Sequence, residues 1–585
     1  MLCTGARILL ESLKREGVDL FFGYPGGAVI DIYDELSNHP DLRHILVRHE
    51  QGAVHAADGY ARACGKVGVC LATSGPGATN IVTGLATAYL DSVPLVAITG
   101  QVSVANLGRD SFQEIDIVGV TLPITKYNIL VRKPEDLLPA LRQAFYLAQE
   151  GRPGPVLVDV PSNLQVGDVE WMEAEPLTPP VMETAREEIL EAAAVTITNA
   201  RQPVFLVGGG AVHSGAAEEV LRFARKTGMP VVNTLMGIGV FPGSDRQCLG
   251  LTGMHGHIAA NMAVANADVL IVAGSRFSER VTGDRNRYVG KKTIIQLDID
   301  PSEVDKNVMT ALPLVGDMKE NLNKLSERVK KLDIEHWWHT IKAWDATENR
   351  AAQSGERLTA PWLMKELTRS FKGEDTVFVT DVGQNQMWAA LHLEVDAPRH
   401  HLTSGGCGTM GFGLPAAMGA KFGAPDRTVC FFTGDGGMQM TIQELGTIMQ
   451  EKIALPESQV VQICGDGGFK MTGMEIYTAM RESAPFITVV INNSCLGMVR
   501  QWQQVFYDKR YSSTILTPFN FVGFAKACGA DGATVTTCAE FTAALAKARK
   551  QGKNFLIEAV VEQSDLVEPM VAPGAVLDDF VKTDA

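Results

Sequence analysis

The segment VCFFTGDGGMQMTIQELGTIMQEKI, residues 429–453, is followed 31 residues downstream by VVQICGDGGFKMTGMEIYTAMRESA, residues 460–484. Aligning 425–455 on 456–486 gives 12 identities in 31 positions, including both GDGG turns, and indicates a tandem duplication. Each copy has the pattern of an apolar strand, a Gly-rich turn with one aspartate, and a helix. Such a unit commonly builds a phosphate or metal site. The repeat therefore predicts one site with two candidate aspartates.

The composition is that of an ordinary soluble protein with several domains. A chain of 585 residues is too long for one core and indicates about three domains. No apolar run approaches the roughly 20 residues of a membrane span, and the net charge of 52 − 67 = −15 without a basic tract argues against nucleic-acid binding. The ten cysteines form no C-x-x-C pair, and the N-terminus enters a helix without a signal or transit peptide. These features predict a cytoplasmic protein with reduced thiols.

The first predicted domain, residues 1–165, alternates apolar strands with helical patterns from residue 18 onwards. This pattern predicts a doubly covered parallel sheet, which binds ligands beyond the carboxyl ends of its strands. Glu50 follows one such strand in RHEQGAVHAADGYAR. Partial desolvation there would raise the pKa of its carboxyl group and suit it to proton transfer. A helix-capping role is the open alternative.

Two linkers separate the remaining domains. Residues 166–190 contain three prolines and many acidic residues, and residues 333–358 are rich in charge and tryptophan. Between them, residues 191–335 form a second α/β pattern, in which the GGG turn at 208–210 fits a dinucleotide phosphate and Asp298 fits a ribose. The turn is not the full G-x-G-x-x-G motif, so a plain structural turn remains equally open. The third domain, residues 359–585, contains the repeat.

The most specific signal is the spacing between a GDG turn and an NN pair. The 24 residues 468–491 separate Gly465-Asp466-Gly467 from Asn492-Asn493. That interval holds one turn, one helix and one strand, so we expect Asp466 and Asn493 at adjacent strand ends. Hard oxygen ligands there suit Mg²⁺, which keeps phosphate oxygens and water in its other positions. The spacing therefore predicts a diphosphate cofactor.

GDG-x24-NN is also the motif of thiamine-diphosphate enzymes, and Glu50 in its context resembles their cofactor-activating glutamate. Across nearly the whole chain the sequence resembles the catalytic subunits of the acetohydroxyacid synthase (acetolactate synthase) family. The GMHG and RFSERVTG stretches resemble the FAD-containing biosynthetic type. Further matching stretches are YPGGAVIDIYDEL, TSGPGATN, FQEIDIVGVTLPITKYN, TLMGIGVFPG, DVGQNQMWAA, TSGGCGTMGFGLPAA, LGMVRQWQ and MVAPG.

The resemblance implies a fold of three doubly wound parallel-sheet domains, which are the pyrimidine-binding, central FAD-binding and diphosphate-binding domains. It implies that pyruvate is decarboxylated on thiamine diphosphate and that the hydroxyethyl carbanion is condensed with a second 2-oxoacid, pyruvate or 2-oxobutyrate. Glu50 would activate the cofactor, Met410 would bend it, and Gln113 would lie in the active site. Arg280 would hold the acceptor carboxylate, and Trp502 with Met498 would shape its pocket. Ordinary packing is the alternative for Gln113, Arg280 and Trp502.

The same resemblance implies three sets of cofactor contacts. Thiamine diphosphate would be bound by Pro76, Asn80, Val382, Gly383, Gln384, Asn385, Gly408, Met410 and the turn glycines Gly434, Gly436, Gly465 and Gly467. Mg²⁺ would be bound by Asp435 or Asp466 with Asn493 and Cys495. A structural FAD would be lined by Gly208, Gly209, Leu235, Met236, His255, Gly274, Asp298 and Asp317. One departure concerns the FAD and acceptor sites, because the family's FDDR is Phe277-Ser278-Glu279-Arg280 here.

Spacing cannot choose between the two aspartates. The downstream interval to Asn493 selects Asp466, whereas the upstream interval from Met410 selects Asp435, and a tandem duplication must give both results. Composition favours the first copy, because the second strand carries Gln462, and burying an unpaired amide costs about 1–3 kcal/mol. We therefore favour Asp435 and expect the second copy to be a surface excursion between helix and strand.

Two other functions stay open at this point. The first is another thiamine-diphosphate carboligase or decarboxylase, and the second is a cofactor-binding paralogue impaired by the repeat. The resemblance implies a homodimer or homotetramer, in which Glu50 serves a cofactor on another subunit, and allows a regulatory small subunit. The sequence does not fix acceptor preference, feedback regulation or the retention of FAD.

Overall fold

A computed structural model describes residues 2–170, 175–180, 182–351, 357–371, 373–451, 453, 460–473, 477 and 486–581. Three parallel sheets, each flanked by helices, dominate the fold and confirm the predicted α/β class. Within these ranges, no helix is both long and apolar enough to cross a membrane.

The first sheet has six parallel strands. These are β2 (Leu20–Gly23), β3 (Arg43–Leu46), β4 (Gly68–Ala72), β5 (Leu95–Gln101), β6 (Tyr127–Leu130) and β7 (Pro155–Pro161). They lie in the order β3-β2-β4-β5-β7-β6, and strands β4, β5 and β7 are buried along their whole length, as the runs of Val, Ile and Leu predict.

The helices of this domain are α1 (Gly5–Arg15), α2 (Ile30–Leu36), α3 (Glu50–Cys64), α4 (Pro76–Asn80), α5 (Val82–Asp91), α6 (Ile117–Thr121), α7 (Leu137–Gln149) and α8 (Ser162–Val166). Beyond α8, the region predicted as a linker begins with a strand, β8 (Asp168–Glu170), which pairs antiparallel with β1 (Leu2–Thr4).

The second sheet lies between the two predicted linkers. Its strands are β9 (Pro203–Val207), β10 (Val231–Asn233), β11 (Cys248–Leu251), β12 (Val269–Ala273), β13 (Thr293–Asp298) and β14 (Leu312–Val315), in the order β11-β10-β9-β12-β13-β14. The helices around it are α9 (Glu187–Thr198), α10 (Gly209–His213), α11 (Ala217–Thr227), α12 (Ile258–Asn266), α13 (Glu279–Thr282), α14 (Arg285–Val289) and α15 (Met318–Arg328).

The prediction of a linker at residues 333–358 was wrong over most of its length. Helix α16 (Glu335–Ala351) occupies this region. Its tryptophans anchor it to the second domain: Trp337 is fully buried, its indole N–H donates to the Pro203 carbonyl at 3.2 Å, and the Trp338 indole donates to the Gly228 carbonyl at 2.9 Å. The tryptophans therefore mark a docked helix.

The third sheet has seven parallel strands and includes the strands of both repeat copies. They are β15 (Thr376–Thr380), β16 (His401–Thr403), β17 (Thr428–Phe432), β18 (Val460–Gly465), β19 (Phe486–Asn492), β20 (Asp531–Val535) and β21 (Phe555–Val560). Their order is β16-β15-β17-β18-β19-β21-β20. The first copy supplies β17 and the second supplies β18.

The expectation that the second copy is a surface excursion was therefore wrong. Strand β18 lies inside the sheet and pairs with β17 on one side and β19 on the other. Ile463 and Cys464 are buried, and the backbone hydrogen bonds to two neighbours outweigh the polar residue on which the expectation rested. The side chain of Gln462 lies outside the described residues.

The helices of the third domain are α17 (Ala360–Ser370), α18 (Gln384–His392), α19 (Gly413–Gly423), α20 (Asp435–Thr441), α21 (Glu444–Gln450), α22 (Asp466–Thr472), α23 (Gly497–Phe506), α24 (Phe521–Ala527) and α25 (Cys538–Gln551). Helix α19 packs directly on α3 of the first domain. A Cβ on Gly59 would lie 2.1 Å from the Ala416 carbonyl oxygen, and a Cβ on Gly419 would lie 1.9 Å from that of Ala56. Glycine is therefore required on both sides of this contact.

Candidate active site

The predicted cofactor-binding turns of the third domain follow consecutive strands. The turn 382–385 follows β15, the loop 404–412 follows β16, and the two GDGG turns follow β17 and β18, while Asn493 follows β19. Because these strands are parallel neighbours, all five segments lie at one edge of the sheet.

Asp381 connects two of these segments and was missed by the sequence analysis. Its buried carboxylate accepts hydrogen bonds from the backbone N–H groups of Val382 at 2.8 Å, Gly411 at 3.0 Å and Gly413 at 3.3 Å. Burial raises its pKa to about 6, against the opposing effect of these N–H groups. Asp381 thus fixes the loop 404–412, the Met410 loop, to the end of β15. An acid directly after an apolar strand, as in VFVTDVGQ, was the available signal.

The GDGG turn of the first copy packs against these two segments. A Cβ on Gly434 would lie 3.0 Å from Asn385 Nδ2, and one on Gly436 would lie 2.0 Å from Met410 Cε. Thr441 Oγ1 adds a hydrogen bond of 2.9 Å to the Gly411 carbonyl. Asp435 is the first residue of α20, but its side chain lies outside the described residues.

The GDGG turn of the second copy lies next to Asn493. Strands β18 and β19 pair Gly465 with Ile491, so Asp466 and Asn493 leave adjacent strand ends, as the spacing predicts. Asn493 Oδ1 accepts a hydrogen bond from the Cys495 N–H at 3.1 Å. Asp466 is fully buried and its Oδ2 pairs with Lys470 Nζ at 3.2 Å. Burial raises the pKa of Asp466, and the Lys470 ammonium opposes this rise.

The two neighbours that spacing assigns to the metal-binding aspartate, Met410 upstream and Asn493 downstream, thus adjoin different copies of the repeat. The first copy adjoins Met410 and Asn385, whereas the second adjoins Asn493. In the strand order, β18 separates the first copy from β19, and β17 separates the second copy from β15.

Glu50 is the first residue of α3 and is nearly buried, with 9% of its surface exposed. Its Oε2 accepts a hydrogen bond from Asn80 Nδ2 at 2.9 Å, and a Cβ on Gly77 would lie 3.2 Å from its Oε1. The helix is capped by His49, whose Nδ1 accepts from the Gln51 N–H at 3.1 Å. Glu50 is therefore not needed as the cap, and its carboxylate faces the turn that begins at Pro76.

Glu444 supports this region and was also missed. From the first repeat copy, its Oε1 accepts hydrogen bonds from the backbone N–H groups of Arg48 and His49, both at 3.1 Å. Burial raises its pKa to about 7, while the hydrogen bonds from Thr447, Arg48 and His49 oppose the rise. The first copy therefore holds the segment that leads into Glu50.

Gln113 lies near the same turn of the first domain. It adopts a left-handed backbone conformation with φ 59°, and its carbonyl oxygen would lie 2.8 Å from a Cβ on Gly75. This close approach brings the Gln113 loop against the Gly75-Pro76 turn.

Arg280 and α23 are joined through the C-terminal tail. Arg280 Nη1 contacts Met254 Sδ at 2.9 Å, and the Met254 carbonyl accepts from the Val571 N–H at 2.7 Å. From α23, Gln501 Nε2 donates to the Val567 carbonyl at 3.0 Å and its Oε1 accepts from Gln384 Nε2 at 2.9 Å. This path links the Arg280 loop to the turn after β15.

The substituted FDDR segment and α23 have further local contacts. The Arg280 side chain is 59% exposed and its Nε lies 3.5 Å from Glu279 Oε1. Ser278 is the N-cap residue of α13. The ring of Trp502 contacts that of Phe506 in a tilted arrangement with a centroid distance of 5.0 Å, and Met498, on the same helix, is half-buried.

The predicted FAD positions of the central domain gather at one edge of the second sheet. Gly208 follows β9, Leu235 and Met236 lie in a 3₁₀ turn after β10, and Gly274 follows β12. Gly208 is forced to be glycine, since its Cβ would lie 2.4 Å from the Gly274 carbonyl oxygen, and Gly209 begins α10.

The acidic and imidazole groups of this edge differ in their partners. Burial raises the pKa of Asp298, at the end of β13, to about 6, and lowers that of His255 to about 4. Asp317 caps α15 by accepting from the Glu320 N–H at 2.9 Å. His255 Nδ1 is buried and has no hydrogen-bond partner in the described part of the chain.

Three family models of thiamine pyrophosphate enzymes match the chain. The N-terminal TPP binding domain matches residues 3–120 and the central domain matches 190–325. The C-terminal TPP binding domain matches in two segments, 381–455 and 452–559. The second segment begins near the boundary between the two repeat copies.

The chain is also similar over nearly its full length to acetolactate synthase large subunits. That of Corynebacterium glutamicum is 42% identical, with 98% of this chain and 89% of the relative covered. The large subunit of isozyme 3 from Escherichia coli is 40% identical over 99% and 98%, and that of Haemophilus influenzae is 39% identical over 99% and 98%. The chain therefore belongs to the acetolactate synthase large-subunit family of thiamine pyrophosphate enzymes.

Proposed function

We propose that this chain is the catalytic subunit of an acetolactate synthase. It decarboxylates pyruvate and joins the two-carbon unit to a second 2-oxoacid, pyruvate or 2-oxobutyrate, in the biosynthesis of valine and isoleucine. The observation that carries the proposal is the packing of the Gly434–Gly436 turn against Met410 and Asn385, in a chain of this family.

The edge of the third sheet fits thiamine diphosphate. Gly408 has no atom within 4 Å of its would-be Cβ, so the loop that carries Met410 leaves open space beside it, and Gly434 and Gly436 bring the first GDGG turn close to Asn385 and Met410. Val382, Gln384, Asn385, Met410 and these glycines would hold the cofactor. When bound, thiamine diphosphate supplies the carbanion chemistry that no side chain can provide.

Glu50 would exchange a proton with the bound cofactor. Its buried carboxylate is oriented by Asn80 and lies at the N-terminal end of α3, next to the turn that starts at Pro76. A carboxylate held in this way can exchange a proton with a nitrogen of the cofactor ring. Met410 would support the cofactor from its apolar side.

Arg280 would bind the carboxylate of the acceptor. A guanidinium offers two parallel donors to a carboxylate. Here the neighbouring Glu279 carboxylate competes for it, so we expect weaker acceptor binding than FDDR would give. Trp502 and Met498 would shape the acceptor pocket from α23, with Gln113 on the side of the first domain.

We propose that Mg²⁺ and FAD complete the site. The aspartate of a GDG turn offers the hard oxygen ligand that Mg²⁺ accepts, since the ion retains water and phosphate oxygens in its other positions. For FAD, the unpartnered His255 Nδ1 and the glycine contact between Gly208 and Gly274 fit a bound polar ligand. The net reaction moves no hydride, so FAD would be structural.

We further propose a homodimer or homotetramer with a regulatory small subunit, because the relatives are named as large subunits. The enzyme would act in the cytoplasm, where the ten free cysteines are compatible with a reducing environment.

Incubation of the purified chain with pyruvate, thiamine diphosphate, Mg²⁺ and FAD tests the proposal. We expect acetolactate, detected as acetoin after acidification, and a rate lower by about 10²–10⁴-fold in the Glu50→Gln variant. Acetaldehyde as the sole product would instead identify a decarboxylase.

A second candidate is a cofactor-binding paralogue with impaired catalysis. It is favoured by the position of β18, which separates the first GDGG turn from Asn493. Bound thiamine diphosphate without any product from pyruvate would identify it.

A further inference from the structure

The two copies of the repeat differ in the residue four positions after the shared aspartate. The first copy has Gln439, which is exposed, and the second has Lys470. On a helix, residues four apart lie on the same face, and Lys470 accordingly pairs with Asp466. One turn therefore carries a built-in positive charge and the other does not.

The Lys470 ammonium makes three contacts that favour a positive charge. Its Nζ lies 3.2 Å from Asp466 Oδ2 and donates to the Thr517 carbonyl at 2.6 Å. It also lies 5.8 Å from the ring centroid of Phe521. The side chain is only 16% exposed. A carboxylate, a carbonyl and an aromatic face thus surround one positive charge.

We propose that the Lys470 ammonium replaces a divalent cation at the second copy, which leaves Asp435 as the aspartate that binds the Mg²⁺ of the cofactor. This inference rests on the proposed function, because it requires a thiamine-diphosphate site at this sheet edge. It assigns the second copy a structural role with its own internal counter-ion.

The charges of the two turns support this assignment. Asp466 and Lys470 sum to zero, so the second turn offers no net attraction to a divalent cation, and a cation at Asp466 would face the ammonium at close range. The aligned Gln439 leaves the charge of the first turn uncompensated by its own helix.

Position supports it as well. The first turn contacts the Met410 loop and the Asn385 turn directly. The second turn lies one strand further from β15, which is about 4.8 Å in a sheet. The phosphates of a cofactor seated on Met410 and Asn385 therefore reach the first turn before the second.

One atom of the second turn makes the proposal testable. Asp466 Oδ1 is buried and lacks a hydrogen-bond partner in the ranges that the structure describes. If Lys470 is the internal cation, removal of its charge leaves a carboxylate beside Asn493 that can bind a metal ion. A reciprocal exchange of Gln439 and Lys470 should then move the site between copies.

Mn²⁺ binding in the presence of thiamine diphosphate, followed by electron paramagnetic resonance of free Mn²⁺ and by calorimetry, is the test. We expect one Mn²⁺ per wild-type chain and at least tenfold weaker binding in Asp435→Asn. Lys470→Gln should keep this site and gain a second. Gln439→Lys should weaken the first site at least tenfold, whereas Gln439→Met, its neutral control, should not.

Loss of the Mn²⁺ site in Asp466→Asn but not in Asp435→Asn would overturn the inference, as would a single unchanged site in both Lys470→Gln and Gln439→Lys. Thermal unfolding of each variant separates lost binding from lost folding. If Mn²⁺ binds at Asp466 and acetolactate is formed, only this inference fails. If Mn²⁺ binds at Asp435 without any product, only the proposed function fails, and a wild-type chain that binds no Mn²⁺ overturns both.

Discussion

At the scale of single residues, Glu50 carries the sharpest prediction. Glu50→Gln keeps the shape and the hydrogen bond from Asn80 but removes the ionisable group. General acid–base groups contribute about 10²–10⁴-fold to rate, so we expect a loss of that size in acetolactate formation. Thiamine diphosphate binding, followed by fluorescence quenching, should change only a few-fold. Activity within tenfold of wild type would contradict the role assigned to Glu50.

Glu444 provides a prediction of pH dependence. Its pKa in the folded chain is raised to about 7 from the usual 4.5 by burial. Between these two pH values the folded chain binds a proton that the unfolded chain has released, so stability falls as pH rises through this window. The loss is at most about 3 kcal/mol above pH 7.

Glu444→Gln mimics the protonated acid and should remove this dependence. We expect the Tm of the variant to fall less than that of wild type between pH 5 and pH 8, and the variant to be at least as stable at pH 8. Equal slopes of Tm against pH in the two proteins would contradict the assignment. Glu218→Gln, at an exposed position in α11, serves as the matched control.

Residue types at strand ends were predictable, but their contacts were not. The strand-end positions of Asp466 and Asn493 follow from the GDG-x24-NN spacing and that of Glu50 from the strand pattern, whereas the role of Glu50 follows only from the family resemblance. The contacts of Asp381 and Glu444 escaped prediction because their partners are backbone N–H groups, which leave no signal in the sequence. Only the position of Asp381 directly after an apolar strand is visible there.

At the scale of secondary-structure elements, the repeat predicts the outcome of its own removal. Deletion of 456–486 joins Leu455 to Ile487 in register, because residue 455 aligns with residue 486. Strand β17 would then neighbour β19 in a six-stranded sheet, with Asp435 one strand from Asn493. We expect a folded variant whose Mn²⁺ affinity with thiamine diphosphate is at least tenfold higher than that of wild type.

Deletion of 425–455 is the matched control. It gives the same sheet but retains Lys470 beside Asp466, the one GDGG aspartate that remains. We expect weaker Mn²⁺ binding than in the first deletion. Equal affinities in the two deletion variants, or failure of both to fold, would contradict the interpretation of the repeat as two interchangeable units.

The two errors about elements share one cause. Both wrong predictions rest on polar residues: Gln462 argues against β18, and the charged residues of 333–358 argue against a helix. In both cases, contacts with other parts of the chain decide the structure: β18 bonds to two neighbouring strands, and Trp337 and Trp338 donate to carbonyls of the second domain. Elsewhere, periodicity alone was enough to predict the strands and helices, because those elements bury their own apolar faces.

At the scale of the whole molecule, the first domain holds the loop that carries Met410. Asp91 accepts hydrogen bonds from the N–H groups of Gly405 at 3.1 Å and Gly406 at 2.7 Å. Thr87 bonds to Thr409 at 2.6 Å. The loop that would support the cofactor is therefore positioned by a domain more than 300 residues away in sequence, and its geometry depends on how α3 docks on α19.

Gly59→Ala and Gly419→Ala test this dependence. Alanine in place of glycine normally stabilises a helix by about 1 kcal/mol, but here each new methyl group would meet a carbonyl oxygen of the partner helix at 2.1 and 1.9 Å. We expect overpacking to dominate and to cost about 1–3 kcal/mol, with a lower Tm and a parallel loss of acetolactate formation because the Met410 loop shifts. Gly27→Ala is the control, since no atom lies within 4 Å of its Cβ position. A Tm equal to or above that of wild type in both helix variants would contradict the requirement for glycine at the contact between α3 and α19.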